Sequence, residues 1–330
     1  MVSGAAWKCY GQEMKLAIEA RDVREAAQRI GALARRTPVV TNEAFDAAAG
    51  RRVFFKCENL QRGGAFKIRG ASNLILSLPK ESLARGVVTY SSGNHAQAVA
   101  IACKHVGAQA TIVMPVDAPK AKMEATRSYG AKIVTYDRFT ESREAIAGGI
   151  LKVTGGTLVP PFDHPMIMAG QGTAAMELLD EAGPLDAVLT PVGGGGLLSG
   201  TATIARDLHP GIRVFGCEPE GANDTFLSFV AGERIAVAHP DTIADGLRSA
   251  KPGELTFPVV KSLVERILLV SDDEIRAAVK FLLMNLKVLV EPSGAVPAAA
   301  LLAGKVPKEI GAVGVVISGG NVDFEDLRGY

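Results

Sequence analysis

The chain has 330 residues, 48% hydrophobic and 22% charged, with a net charge of +1. That length supports two domains with well-buried cores, while the balanced charge, with no basic stripe, argues against nucleic acid and anionic membrane as partners. Cys9, Cys57, Cys103 and Cys217 show neither C-x-x-C spacing nor a companion His cluster, which points to reduced cytoplasmic thiols, most of them buried, rather than zinc or disulfides.

Met1 to Glu13 lacks a signal-peptide core. An amphipathic pattern predicts a helix over Lys15–Ile30, so the preceding residues read as a disordered leader, or Met14 as an alternative start. Next comes Gly63-Gly64-Ala65-Phe66-Lys67-Ile68-Arg69-Gly70. A lysine beside an aromatic ring in a desolvated crevice loses its proton more easily and can form a Schiff base with an aldehyde. The competing reading is a solvated lysine in a basic loop with Arg62 and Arg69.

Gly86–Tyr90, Gly107–Val113 and Gly130–Tyr136 each begin with a helix-ending glycine and continue as a short apolar strand. Their recurrence after one helix length predicts βαβ units and a parallel sheet. The first is followed by Ser91-Ser92-Gly93-Asn94-His95, a polar turn at a strand's carboxyl end, where open α/β sheets bind ligands. A helix cap is the alternative, but a cap needs one such residue, not four.

The apolar run Ala187–Val192 leads into Gly193, Gly194, Gly195 and Gly196, then Leu197-Leu198-Ser199-Gly200. Consecutive glycines let backbone amides converge on a phosphate. A dinucleotide fingerprint fails because Ser199 stands where the third glycine belongs, and no Gly-Lys-Ser/Thr makes a P-loop. What remains is a loop for a single phosphate, or a plain flexible turn. The apolar stretch Phe281–Ala303 is broken by Asn285, Lys287, Glu291 and two prolines, so it falls short of the roughly 20 apolar residues that span a bilayer. Val315-Val316-Ile317 then ends in Ser318-Gly319-Gly320-Asn321. A neutral Ser318 hydroxyl against a pyridine nitrogen would not hold it protonated, which weakens the ring as an electron sink and favours elimination over transamination.

These four segments together resemble the pyridoxal-phosphate enzymes of the tryptophan-synthase β fold type, and within them the serine/threonine dehydratase and serine racemase family. The similarity runs from about Arg36-Thr37-Pro38 to Asp323 and includes Phe54–Glu58, Ala169-Gly170-Gln171-Gly172-Thr173 and Glu291-Pro292-Ser293-Gly294-Ala295. It implies an α/β fold of two parallel-sheet-containing domains with the cofactor between them: a large domain of residues 1–85 and 163–330, and a small inserted one of 86–162. It makes Lys67 the Schiff-base lysine, Phe66 the residue against the cofactor ring, Asn94 the partner of the ring hydroxyl, Gly193 to Gly196 the phosphate cradle and Ser318 the partner of the ring nitrogen.

Ser91, Ser92 and His95 would face the substrate, with Ser92 opposite Lys67 as the second acid/base that racemases need. Ser91-Ser92, where common threonine dehydratases often carry alanine at the second position, leans toward the racemase and hydroxyaspartate branch. Glu218-Pro219-Glu220-Gly221-Ala222-Asn223-Asp224 resembles that branch's divalent-cation loop, with the Glu218 and Asp224 carboxylates and the Ala222 carbonyl as ligands. All-oxygen ligation selects magnesium, manganese or calcium over zinc, against the alternative of an acidic surface loop. Arg143 matches an arginine that approaches a second substrate carboxylate, against a helix ion pair between Glu141 and Glu144.

The implied activity is elimination from L-threonine, L-serine or 3-hydroxyaspartate to a 2-oxo acid and ammonia by a cytoplasmic homodimer. Racemisation is the alternative, and a ligand-binding regulator without chemistry the remote one. The chain's end after Asn321 leaves no room for a regulatory domain, so a catabolic enzyme is expected.

Overall fold

The computed structural model describes residues 15–118, 120–323 and 325–329. Cys9, the expected leader and the alternative start at Met14 lie outside the described residues. The first helix is Ala20–Ile30, shorter than the predicted Lys15–Ile30: the Glu19 amide donates to Asp22 Oδ2 at 2.7 Å, fixing the start there.

Ten strands form two sheets: β1 (Val39–Val40), β2 (Arg52–Cys57), β3 (Val87–Tyr90), β4 (Ala110–Pro115), β5 (Lys132–Tyr136), β6 (Thr157–Leu158), β7 (Ala187–Pro191), β8 (Arg213–Pro219), β9 (Arg266–Val270) and β10 (Ala312–Ile317). The larger sheet has the order β1-β2-β10-β7-β8-β9 and the smaller β5-β4-β3-β6. Every pairing is parallel except β1 with β2. β7 and β10 are buried at each position, as parallel strands covered on both faces must be. The smaller sheet takes all its strands from residues 87–158. Gly86, Gly107 and Gly130 sit at φ 85°, 70° and 87°, left-handed backbone that stops the preceding helix and releases a strand.

The helix Pro165–Ala182 packs against both Lys67–Leu76 and Gly196–Leu208. They meet at glycine contacts. A Cβ on Gly170 would stand 2.6 Å from Gly70 Cα, and one on Gly172 would stand 2.7 Å from the Gly200 carbonyl oxygen. The Ala169–Thr173 motif is thereby explained as backbone-to-backbone packing that seats the lysine-bearing helix and the glycine-loop helix on Pro165–Ala182. The apolar stretch from Phe281 is a π turn (Leu282–Leu286) followed by the buried helix Pro292–Leu302, and no described helix is long and apolar enough to cross a membrane.

Candidate active site

Lys67 opens its helix after the N-cap Phe66, with the left-handed Gly63 and Gly64 just upstream. Its Nζ donates to the Pro161 carbonyl at 2.9 Å and lies 5.1 Å from the Phe66 ring centroid. Burial lowers the amine pKa to about 8, with the Glu291 carboxylate pulling the other way. The basic-loop reading is corrected here: Arg62 is exposed, but Arg69 is wholly buried. Its guanidinium donates to both carboxylate oxygens of Glu58 and both of Glu177, to Thr173 Oγ1 and to the Arg35 carbonyl. Lys56, also fully buried, pairs with Glu177 at 2.7 Å. These paired charges fasten the lysine helix to β2 and to the 165–182 helix, because breaking any one would strand its partner without water.

The Lys67 amine reaches a cavity of about 470 Å³ whose walls include Phe66, Ser91, Ser92, Asn94, His95, Gly193 to Gly196 and Ser318, all predicted from sequence. β3, β7 and β10 each deliver one of these groups from their carboxyl ends, as parallel sheets do. The cap reading of Ser91–Asn94 does not hold: the N-cap of helix Asn94–Val106 is Gly93, with no side-chain cap. The Asn94 amide instead donates to Glu291 Oε1 at 2.8 Å, and Asn321 Nδ2 donates to Asn94 Oδ1 at 2.9 Å. His95 is buried, with Nε2 3.0 Å from the Val159 carbonyl and no partner for Nδ1 among the described residues. Burial, then the nearby Lys67, push its pKa down to about 3, so it stays a neutral imidazole with an open acceptor.

Gly195, at φ 92°, is the N-cap of helix Gly196–Leu208, whose first turn leaves amides without intrahelical acceptors. No side chain fits at Gly194, because the Phe162 ring lies against it. Ser318 is 3% exposed at the end of β10, and its carbonyl accepts the Phe66 amide at 3.0 Å, tying the strand end to the lysine loop. Arg143 also lines the cavity, its guanidinium 5.1 Å from the Tyr90 ring centroid, while Nε donates to Glu144 at 2.8 Å.

Glu218, Ala222 and Asp224 stand apart from the cavity walls and are all fully buried. Glu218 accepts the Thr225 and Phe226 amides, whereas neither Asp224 carboxylate oxygen has a partner among the described residues. Burial and the neighbouring Asp224 charge raise the Glu218 pKa well above the carboxylate range, and burial raises Asp224 to about 7. Among the described residues, no group of three or more His, Cys, Asp or Glu side chains is placed to hold a metal ion. Thr225 Oγ1 reaches the Gly193 carbonyl at 3.4 Å, so this loop borders the glycine turn.

Sequence reasoning missed several wall residues. Glu291, whose pKa burial raises to about 8, was read only as part of a motif. Lys122 pairs with Asp245 at 2.9 Å in the cavity wall, to which Arg248, Lys251, Ser293 and Phe162 also contribute. The Asp245–Lys251 segment carries no strand or helix periodicity, so no local pattern marks it as part of the site.

A family model described as "Pyridoxal-phosphate dependent enzyme" matches residues 30–319. A serine racemase of Schizosaccharomyces pombe is 47% identical over 304 residues, 92% of this chain and 94% of that protein. An L-threo-3-hydroxyaspartate ammonia-lyase of a Pseudomonas species is 48% identical over 304 residues, 92% of this chain and 95% of that protein. The structure of maize serine racemase superposes with a TM-score of 0.92 at 44% identity, covering 95% of this chain and 96% of that one.

Proposed function

The chain belongs to the family of pyridoxal-phosphate dependent enzymes, and from that premise we propose that it is an ammonia-lyase converting a β-hydroxy amino acid (L-threonine, L-serine or 3-hydroxyaspartate) to a 2-oxo acid and ammonia. The observation that carries this reading is one cavity in which Lys67, at a helix start, meets Ser92, the glycine loop and Ser318 from three separate strand ends. Its residues fit the cofactor. A glycine turn at a helix start suits a phosphate, the Lys67 amine can hold an aldehyde, and Ser318 offers the ring nitrogen a neutral hydroxyl. Asn94 and Phe66 line the same cavity, and we assign them to the ring hydroxyl and to the ring.

When bound, the cofactor supplies an electron sink for the charge left at the substrate α-carbon. Lys67 takes the α-proton, and its lowered pKa keeps a usable fraction of the amine unprotonated near neutrality. Ser91, Ser92 and His95 hold the substrate, with neutral His95 as an acceptor. Arg143 and the exposed Lys251 at the cavity wall favour a substrate with a second carboxylate. Racemisation is the second reading, favoured by Ser92 lining the same cavity as Lys67.

Glu218, Asp224 and the Ala222 carbonyl are assigned to magnesium, manganese or calcium. The unpartnered, buried Asp224 carboxylate beside Glu218 supports this, since two carboxylates removed from water need a counter-charge. Residues 86–162 are assigned to a small inserted domain, with 1–85 and 163–330 as the large one. A homodimer is supported by the exposed Leu60, Leu283, Met284 and Leu289, with the Asn59 amide donating to the Leu289 carbonyl at 3.0 Å. A cytoplasmic location is supported by Cys57, Cys103 and Cys217, all buried and unpaired.

The test is a turnover screen of L-threonine, L-serine and L-threo-3-hydroxyaspartate with 2-oxo-acid and chiral readouts. Expected is 2-oxo acid from at least one of them by a yellow protein. A colourless protein with no bound aldehyde and no turnover would return the chain to the regulator reading.

A further inference from the structure

The tripeptide Pro161-Phe162-Asp163 touches the site at two points and a supporting segment at a third. The Pro161 carbonyl accepts the Lys67 amine, the Phe162 ring lies against Gly194, and the Asp163 carboxylate grips a distant segment. Asp163 Oδ2 accepts the Glu254 amide at 2.9 Å, while Oδ1 accepts those of Leu255 at 2.9 Å and Thr256 at 3.3 Å. Thr256 passes the restraint on. Its hydroxyl donates to the Gly194 carbonyl at 2.7 Å, which also accepts the Gly253 amide at 3.3 Å. The Ser199 hydroxyl, with one proton to give, donates to the Gly195 carbonyl at 2.6 Å and lies 3.2 Å from the Thr256 carbonyl.

Four consecutive glycines have the widest conformational freedom of any tetrapeptide, so an unrestrained loop would lose much entropy in converging on a phosphate. The peptide group between Gly194 and Gly195 is a rigid trans plane, and holding its carbonyl on Thr256 aims the Gly195 N–H the opposite way. A Cβ on Gly195 would stand 2.8 Å from Thr256 Oγ1, so the contact itself demands glycine.

We propose that Asp163 is a positioning residue for the cofactor phosphate, acting through Thr256 to set the direction of the glycine-loop amides. The proposal rests on the reading of Gly193–Gly196 as the phosphate cradle. The experiment measures the affinity of the cofactor-stripped, full-length protein for pyridoxal phosphate and for pyridoxal, which lacks the phosphate, by absorbance titration. Wild type should strongly prefer pyridoxal phosphate. Asp163→Ala and Thr256→Val should weaken pyridoxal phosphate binding about tenfold, the worth of one charge-assisted hydrogen bond, and leave pyridoxal binding unchanged.

Thr256→Ser, which keeps the hydroxyl, should bind like wild type. If Asp163→Ala does not fold, the Thr256 pair decides, since it differs in one hydroxyl. Equal weakening for both ligands, or unchanged pyridoxal phosphate binding in either Asp163→Ala or Thr256→Val, would overturn the clamp while a wild-type preference left the cradle standing. Wild type with no preference would overturn the cradle reading and the clamp with it.

Discussion

At the level of single residues, the chemistry turns on how burial sets the charge of Lys67. With its pKa at about 8, roughly half of the amine is neutral at pH 8, against well under 1% for a solvated lysine. The neutral form is the nucleophile, so reactivity rises with pH through about 8 and levels off above it. The rate at which cofactor-stripped protein takes up pyridoxal phosphate should follow that curve, and a rate still climbing at pH 10 would mean a solvated amine. Lys67→Ala should abolish turnover, and borohydride should fix the cofactor on Lys67 as found by mass spectrometry. Ser92 tests the division of faces. General acid-base help is worth about 10²- to 10⁴-fold, so Ser92→Ala should suppress L-to-D conversion by that order while retaining much of the 2-oxo-acid formation. Parallel loss of both reactions with cofactor still bound would contradict separate roles.

At the level of elements, glycine decides where helices touch. Gly170→Ala pushes a methyl against Gly70 and the Arg69 carbonyl, where neither backbone can yield, and should cost roughly 1–3 kcal/mol in chemical denaturation. Gly148→Ala, in the helix Arg143–Thr154 with nothing within 4 Å of the added methyl, should instead add about 0.5–1 kcal/mol. Reversed signs would refute the close helix crossing. The Glu218–Asp224 turn joins β8 to the helix Asp224–Ala231. A cation bound only by the native turn stabilises the fold by mass action, so magnesium should raise the melting temperature, and Asp224→Asn should remove the response. Chelator-treated wild type that melts as before, with no metal by elemental analysis, would favour a metal-free turn.

At the level of the whole molecule, the apolar side chains Leu60, Leu283, Met284 and Leu289 remain exposed although the interior is otherwise well filled. Sedimentation should give a dimer, and Met284→Glu should shift it toward monomer without loss of fold; an unaffected dimer would move the interface elsewhere. The layout itself was largely legible. Strand, glycine-rich or polar turn, and helix start are local signals, so the sequence alone determined that Ser91–His95, Gly193–Gly196 and Ser318 lie at strand ends and that Lys67 follows a glycine turn. It also determined the alternation that makes the sheets parallel. The tertiary structure alone decided that Arg69 is buried between Glu58 and Glu177, that Glu291 meets Asn94, and that Asp163 holds the segment supporting Gly194. The Arg69–Glu177, Asn94–Glu291 and Asp163–Glu254 contacts join residues 108, 197 and 91 positions apart, and no local pattern records such pairings. The shifts of Lys67 and His95 belong to the same class, because a pKa follows from the water excluded by neighbouring segments rather than from the residue's own stretch of chain.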